Sequence, residues 1–245
     1  MEELPRFTDL RAISAEISDQ PAYEKIARII DRAARLQSCT SDLAEAWTCV
    51  EALDELLPSP RKRGTLTRQA TESALMKTAV MLYARGAGGG GKPDERGSFD
   101  IRSQLDGTAL EDHETLIDVR NKALAHVVPG KVGGDIWHAE VLFAIEHHPA
   151  WLPAAASHRI QFNRKVFEQL KRQIPIGREI LTGKFHDAIG KLITTLNDHP
   201  LPVAIYERHL MDPAKTFGSL AQARQVAEGW RDGRTTFLGS GQVQD

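Results

Sequence analysis

The chain has little of what most quickly assigns a function. It holds two cysteines in 245 residues, Cys39 and Cys49, both in helix-like sequence. That excludes a disulfide framework and points to reduced core thiols. Its longest apolar run, Ala74–Ala84, is broken by Lys77 and is too short to span a bilayer. Neither sign of charge dominates, with 31 basic against 33 acidic residues. No global field therefore draws the protein to nucleic acid or a membrane, and any nucleic-acid contact has to come from a local patch. The opening MEELPRFTDL lacks the basic start and apolar core of a secretory signal, so a cytoplasmic location without membrane association is expected. Internal repeats are absent. Metal-binding patterns are absent too: His113, His138, His147, His148 and His158 form neither H-x-x-x-H nor H-E-x-x-H, and no cysteine pair joins them. No metal and no other cofactor is expected.

What is present is helical periodicity. Ala22–Gln37 places Ile26, Ile29, Ile30, Ala33 and Leu36 near helical spacing. Ser41 is a candidate cap for a second helix carrying Leu43, Trp47, Val50, Leu53 and Leu57, which Pro58 and Pro60 stop. The basic connector Arg61-Lys62-Arg63-Gly64 follows. A third helix spans about Thr67–Arg85 and gives way to the glycine-rich stretch Gly86–Gly97, read as flexible. Thr108 is the expected cap of a fourth helix, Ala109–Ala125. Short apolar runs in Asp135–His147 and Ser157–Phe162, between glycine and proline signals, predict a small β-hairpin or two loose strands. A long helix is expected from Arg164 to about Asn197, kinked at Pro175. The tail after Gly233 is read as disordered. The pattern predicts an all-α bundle with a small β-hairpin insertion at about 135–162. The expected layout is an N-terminal extension (1–20), a helical domain (21–211), and a C-terminal helix with a flexible tail (212–245).

The segment LIDVRNKALAH, Leu116–His126, carries the most chemistry. Arg120, Asn121 and His126 lie at the end of an otherwise apolar helix. Histidine moves protons near neutral pH, and arginine offers a planar fork suited to phosphate. The plain structural alternative is that Arg120 and His126 complement the helix dipole and cap its last carbonyls, worth roughly 0.3–1 kcal/mol each. Six residues separate them, about 240° past a full turn of an ideal helix, so they do not share a face. A common site needs His126 swung back at the helix end, or a second copy of the helix facing the first.

RNKALAH resembles the Arg-x(4–6)-His signature of HEPN domains, in which a polar residue often follows the arginine. The preceding order is similar as well: an apolar helix, ESALMKTAVMLYAR, then a variable polar loop, then the signature helix. Ile136-Trp137-His138 after the signature resembles abortive-infection-type members, and the likeness covers roughly residues 25–195. The resemblance implies a bundle that dimerises with two signature helices facing across a two-fold axis. It further implies metal-independent RNA cleavage in the shared cleft, as a toxin or phage-defence effector held by an antitoxin or regulatory partner. On that basis His126 is the acid/base group, Arg120 holds the scissile phosphate, and Asn121 orients the histidine or donates to a phosphate oxygen. The product is a 2′,3′-cyclic phosphate. Many proteins with this fold are non-catalytic dimeric modules that bind a protein or nucleotide partner, and that alternative stays open.

Two further features enter as candidates. Arg164, Lys165, Lys171 and Arg172, within a basic stretch that also holds Arg159 and Arg178, are possible RNA-backbone contacts or simply a solvated helix face. Arg61, Lys62, Arg63 and Arg68 form a weaker second set, and no stacking aromatics interleave either. The run Gly86–Lys92 superficially matches a phosphate-binding loop. It fails because Pro93 replaces the Ser/Thr and because a helix, not a strand, precedes it.

Overall fold

The computed structural model describes residues 5–59, 64–90, 97–126, 128, 130–148 and 150–231. It is mostly helical. The helices are α1 (Leu10–Ile17), α2 (Glu24–Leu56), α3 (Leu66–Ala87), α4 (Gly107–Asp118), α5 (Arg164–Asp198), α6 (Val203–Arg208), α7 (Pro213–Phe217) and α8 (Leu220–Arg231). A π-helical turn, Val119–Leu124, continues α4 directly. Two small antiparallel pairs follow: β1 (Lys131–Val132) with β2 (Asp135–Ile136), and β3 (His138–His147) with β4 (Ala150–Arg159). The tail after Gly233, the connector residues Arg61–Arg63 and the glycine-rich residues 91–96 lie outside the described residues.

The chain forms two compact units, one of residues 1–32 with 188–245 and the other of residues 33–187. In the first, Asp9 caps α1 by accepting from the amides of Arg11 and Ala12. Ile13 and Ile17 of α1 are fully buried, in a core with Ile26, Ile30, Leu192, Leu201 and Ile205. The stretch read from sequence as an extension thus contributes core side chains. A single β-bridge, Thr8 with Leu210, ties the start of the chain to the end of α6. Nearby, Glu16 accepts from Arg208 and from His209 Nε2 at 2.6 Å. Those two partners hold its carboxyl below the usual range.

The second unit holds the signature segment. α2 is one helix where the sequence predicts two, and the hydroxyls explain the difference. Ser41 donates back to the Gln37 carbonyl at 3.1 Å and Thr40 to the Leu36 carbonyl at 2.9 Å, so neither caps a new helix. Arg68 organises the end of α2. Its guanidinium donates to the carbonyls of Leu56 (2.9 Å), Leu57 (3.0 Å) and Ser59 (2.5 Å) and to Glu72 (2.7 Å), with its side chain 8% exposed. It therefore satisfies helix-end carbonyls that Pro58 and its neighbours leave open. Gly86 sits where α3 meets α2: a Cβ there would come within 2.9 Å of the Cys39 carbonyl oxygen. The apolar core of this unit includes Leu43, Leu53, Met76, Val80, Leu116, Val119, Phe167 and Ile174.

Two further expectations are corrected and one is met. The helix expected from Ala109 begins at Gly107 with Asp106 at the N-cap position, not Thr108, and its last turn is π-helical rather than α. The long helix expected from Arg164 to about Asn197 is present as α5, Arg164–Asp198, with Pro175 inside it. The hairpin is longer than predicted, since β4 takes in Trp151–Ala156, whose single proline, Pro153, and three alanines have low strand propensity. Its register is completed from β3, with Phe143 opposite Ala154 and Ile145 opposite Leu152.

The carbonyl cage at the end of α2 is testable. Arg68→Ala leaves several carbonyls and the Glu72 carboxylate without their donor. It should destabilise the protein by about 3 kcal/mol, lowering the thermal midpoint by roughly 6–12 °C in a chain of this size. A change under roughly 1 kcal/mol in calorimetry would show that water replaces the guanidinium without loss.

Candidate functional site

The signature segment is positioned by a buried polar network joining α3, α4 and α5. Asp112 and His113, adjacent on α4, are 5% and 3% exposed. Tyr83 on α3 lies 2.7 Å from His113 Nδ1 and also contacts Gln173 Oε1 of α5 at 3.3 Å. The Gln173 amide donates to the Ala109 carbonyl at 2.8 Å. Asp112 accepts from Gln169 at 2.9 Å and from Arg172 Nε at 2.8 Å. Burial pushes the Tyr83 hydroxyl upward, with the Asp112 charge adding to the shift. Burial likewise lowers His113 below its ordinary value of 6.5. His113 is therefore a core histidine held in the hydrogen-bond network with Tyr83.

Beyond Asp118 the backbone changes pitch. Ala125 N–H donates to the Arg120 carbonyl at 2.8 Å, an i→i−5 bond. Such turns wind less per residue than an α-helix and recur at functional sites. Here the turn puts Arg120 and its neighbour Asn121 on one wall of an open cavity of about 900 Å³. Arg120 Nη1 donates to Asn121 Oδ1 at 2.8 Å. His138 at the start of β3 holds the far end of the turn, its Nε2 lying 2.6 Å from the Ala123 carbonyl. A carbonyl only accepts, so Nε2 is the donor in this contact. His138 Nδ1 is buried without a partner among the described residues. Trp137 anchors the strand beside it, donating to the Val132 carbonyl at 3.1 Å.

The rest of the cavity comes from α2, α3 and the stems of the glycine-rich stretch. Lys77, Thr78, Met81, Leu82 and Arg85 line it from α3, and Glu45 from α2. Ile117, Gly88–Gly90, Gly97 and Ser98 complete the wall. Among the described residues, three cations and one carboxylate thus line the cavity. Arg85 is bound by Asp42, Nε to Oδ2 at 2.9 Å, and the pairing raises its pKa further. Lys77 and Arg120 have no carboxylate partner among the described residues.

The predicted residues thus separate. Arg120 and Asn121 are together in the cavity. His126 is exposed, follows the π-turn and does not line it. The four basic residues of α5 are not at the cavity, and each meets a group of the same chain. Arg164 pairs with Glu168 (3.3 Å), Lys165 donates to the Gly133 carbonyl (3.0 Å), Lys171 pairs with Asp54 (2.5 Å), and Arg172 pairs with Asp112. Sequence reasoning missed Lys77, Arg85 and Glu45. The available signal was Lys77 itself, a charge inside the longest apolar run. Among the described residues no group of three or more His, Cys, Asp or Glu is arranged to hold a metal ion, and no helix is long and apolar enough to cross a membrane. No family model, curated protein or solved structure matches the chain.

The polar network gives a pH prediction. His113 is held below its ordinary value in the fold, so the unfolded chain binds the extra proton first. The stability tied to His113 is complete above about pH 6.5 and is lost as pH falls below that value toward the lowered one. Denaturant unfolding of wild type between pH 7.5 and 5 should show this loss, and His113→Gln should flatten that part of the slope while lowering stability at pH 7.5. An unchanged slope in the variant would remove His113 as its source.

Proposed function

We propose that this protein is a metal-independent endoribonuclease of the HEPN type, acting as a homodimer. The observation that carries the reading is the cationic cavity built on the signature turn. Arg120 and Asn121 keep unused hydrogen-bond donors there, beside Lys77 and Arg85. Such a site suits a phosphodiester, because guanidinium–phosphate bonds are charge-assisted and place donors where charge grows in the transition state.

In this reading the ribose 2′-hydroxyl attacks the adjacent phosphorus and the 5′-oxygen leaves, giving a 2′,3′-cyclic phosphate and a 5′-hydroxyl. Arg120 holds the phosphate, with Asn121 donating to a second oxygen. His126 exchanges the proton with the 2′-hydroxyl or the leaving oxygen. The exposure of His126 outside its own chain's cavity makes a second copy part of the proposal, since a facing signature helix supplies the missing histidine. The 2′-hydroxyl requirement restricts the chemistry to RNA. A toxin or defence role, restrained by an antitoxin or regulatory partner, fits an enzyme of this kind.

The separation of His126 from the cavity also favours a second reading, a non-catalytic dimeric module that binds a protein or nucleotide partner. Cleavage of pooled tRNA and structured RNA in EDTA distinguishes the two. His126→Ala should lower the rate by about 10²–10⁴-fold, and Arg120→Ala by about 10²–10³-fold, with both variants folded. A folded, dimeric wild type that leaves RNA intact, or a His126→Ala variant that still cuts it, would turn the assignment to the binding module.

A further inference from the structure

The β3–β4 hairpin turns an apolar face to water. Its register sets opposed residues on the same face, and alternation along each strand separates the two faces. One face holds Val141, Phe143 and Ile145 of β3 opposite Ala156, Ala154 and Leu152 of β4. No Asp, Glu, Lys or Arg lies on it. The other face carries Glu140, Glu146, Ser157 and Arg159, with Arg159 paired to Glu140 at 3.2 Å. The ribbon is thus amphipathic, yet Val141, Ile145 and Leu152 are exposed and Phe143 is 40% exposed.

A two-stranded ribbon cannot bury such a face by itself and is marginal in water without a further layer. A contiguous apolar face of this kind marks a contact surface. Its two halves differ in bulk. β3 presents a ridge of Val141, Phe143 and Ile145, while β4 presents a shallow strip at Ala154 and Ala156. A two-fold axis along the ribbon lays the ridge of one copy on the strip of the other, and the reverse. Phe143 of each copy then stacks over the partner's Ala154. The charged residues stay on the outer faces, so stacking buries no charge. Edge-to-edge pairing would widen the ribbon and leave the apolar face wet. Two ribbons about 34 Å long and about 10 Å wide, stacked face to face, cover on the order of 1,000 Å² in total. That area suits a weak, reversible dimer.

We propose that a second copy of the chain covers this face, hairpin stacked on hairpin about a two-fold axis along the ribbon. The contact uses none of the residues that line the cavity and needs neither His126 nor RNA. It joins chains through a surface other than the signature helix. Where the signature helices also pair, the hairpin adds a second association step or strengthens the first.

The test is sedimentation velocity of the full chain from about 1 to about 300 μM. Wild type should self-associate with a Kd in the micromolar range. Phe143→Glu puts a carboxylate at the centre of the face and should weaken that step by roughly thirtyfold or more. Leu142→Glu is the control. Leu142 is 82% exposed and adjacent in sequence but lies on the other face, so association should stay near wild type. Ala154→Phe adds apolar surface yet fills the seat of the partner's Phe143, so it should also weaken association. Nonspecific stickiness would strengthen it instead. All three variants should keep the wild-type circular dichroism. Wild type that stays monomeric, Phe143→Glu or Ala154→Phe associating as wild type does, or equal weakening by Leu142→Glu would each overturn the proposal. The first would assign the face to a different protein. Failure to cut RNA changes none of these readouts, so the cleavage reading and this one fail separately.

Discussion

The buried contact between α4 and α5 is the constraint on which the signature segment depends. Asp112 and His113 are nearly inaccessible, and a buried carboxylate is tolerated only when its oxygens are paired. Gln169 and Arg172 supply that pairing, while Tyr83 and Gln173 hold the other side. Sliding α4 by one turn, about 5.4 Å, would break all of these bonds together. The register of α4 is thereby fixed, and with it the starting point of the π-turn six residues on. Buried polar networks of this kind specify one arrangement where an apolar interface would accept several, even with Gln169 Oε1 left without a hydrogen-bond partner among the described residues.

From that fixed start the electrostatics follow. The chain is nearly neutral, and many of its basic side chains are occupied by carboxylates of the same molecule, including three of the four candidates on α5. Positive charge available for a ligand depends on which cations are left over, not on where basic residues are dense in sequence. Lys77 and Arg120 come from different helices and line one cavity because α3 packs beside α4 and the π-turn. His138 contributes from a third direction by holding the Ala123 carbonyl, so the hairpin that follows the signature helps shape the turn before it.

The helical character, the hairpin and the prominence of Arg120 and Asn121 were legible in the sequence, because apolar periodicity and isolated polar residues in apolar helices are local signals. Other features were not. Ser41 reads as a cap because its hydroxyl suits that role, yet the same hydroxyl bonds back along a continuous helix, and sequence does not choose between them. β4 is hidden by Pro153 and the alanines around it, since its pairing is imposed by β3. The π-turn has no composition of its own. The glycine run follows a helix, as its separation from a Walker-type loop assumed, and its stems line the cavity that holds Lys77, Arg85 and Arg120. Lys77 appeared only as the residue that interrupts an apolar run. The cavity groups on other elements, Glu45, Arg120 and Asn121, lie more than thirty positions away, and only the fold connects them.

What most needs direct measurement is whether Arg120 and His126 of different copies make one cleft. Subunit complementation does this. Arg120→Ala and His126→Ala chains, each inactive alone, are mixed under conditions that exchange subunits, and RNA cleavage is followed. A shared cleft gives each mixed dimer one intact site, so random exchange should restore roughly a quarter of wild-type activity. Activity that stays at the level of the separate variants, with exchange verified by mass, would contradict a composite site and leave the signature turn with binding alone.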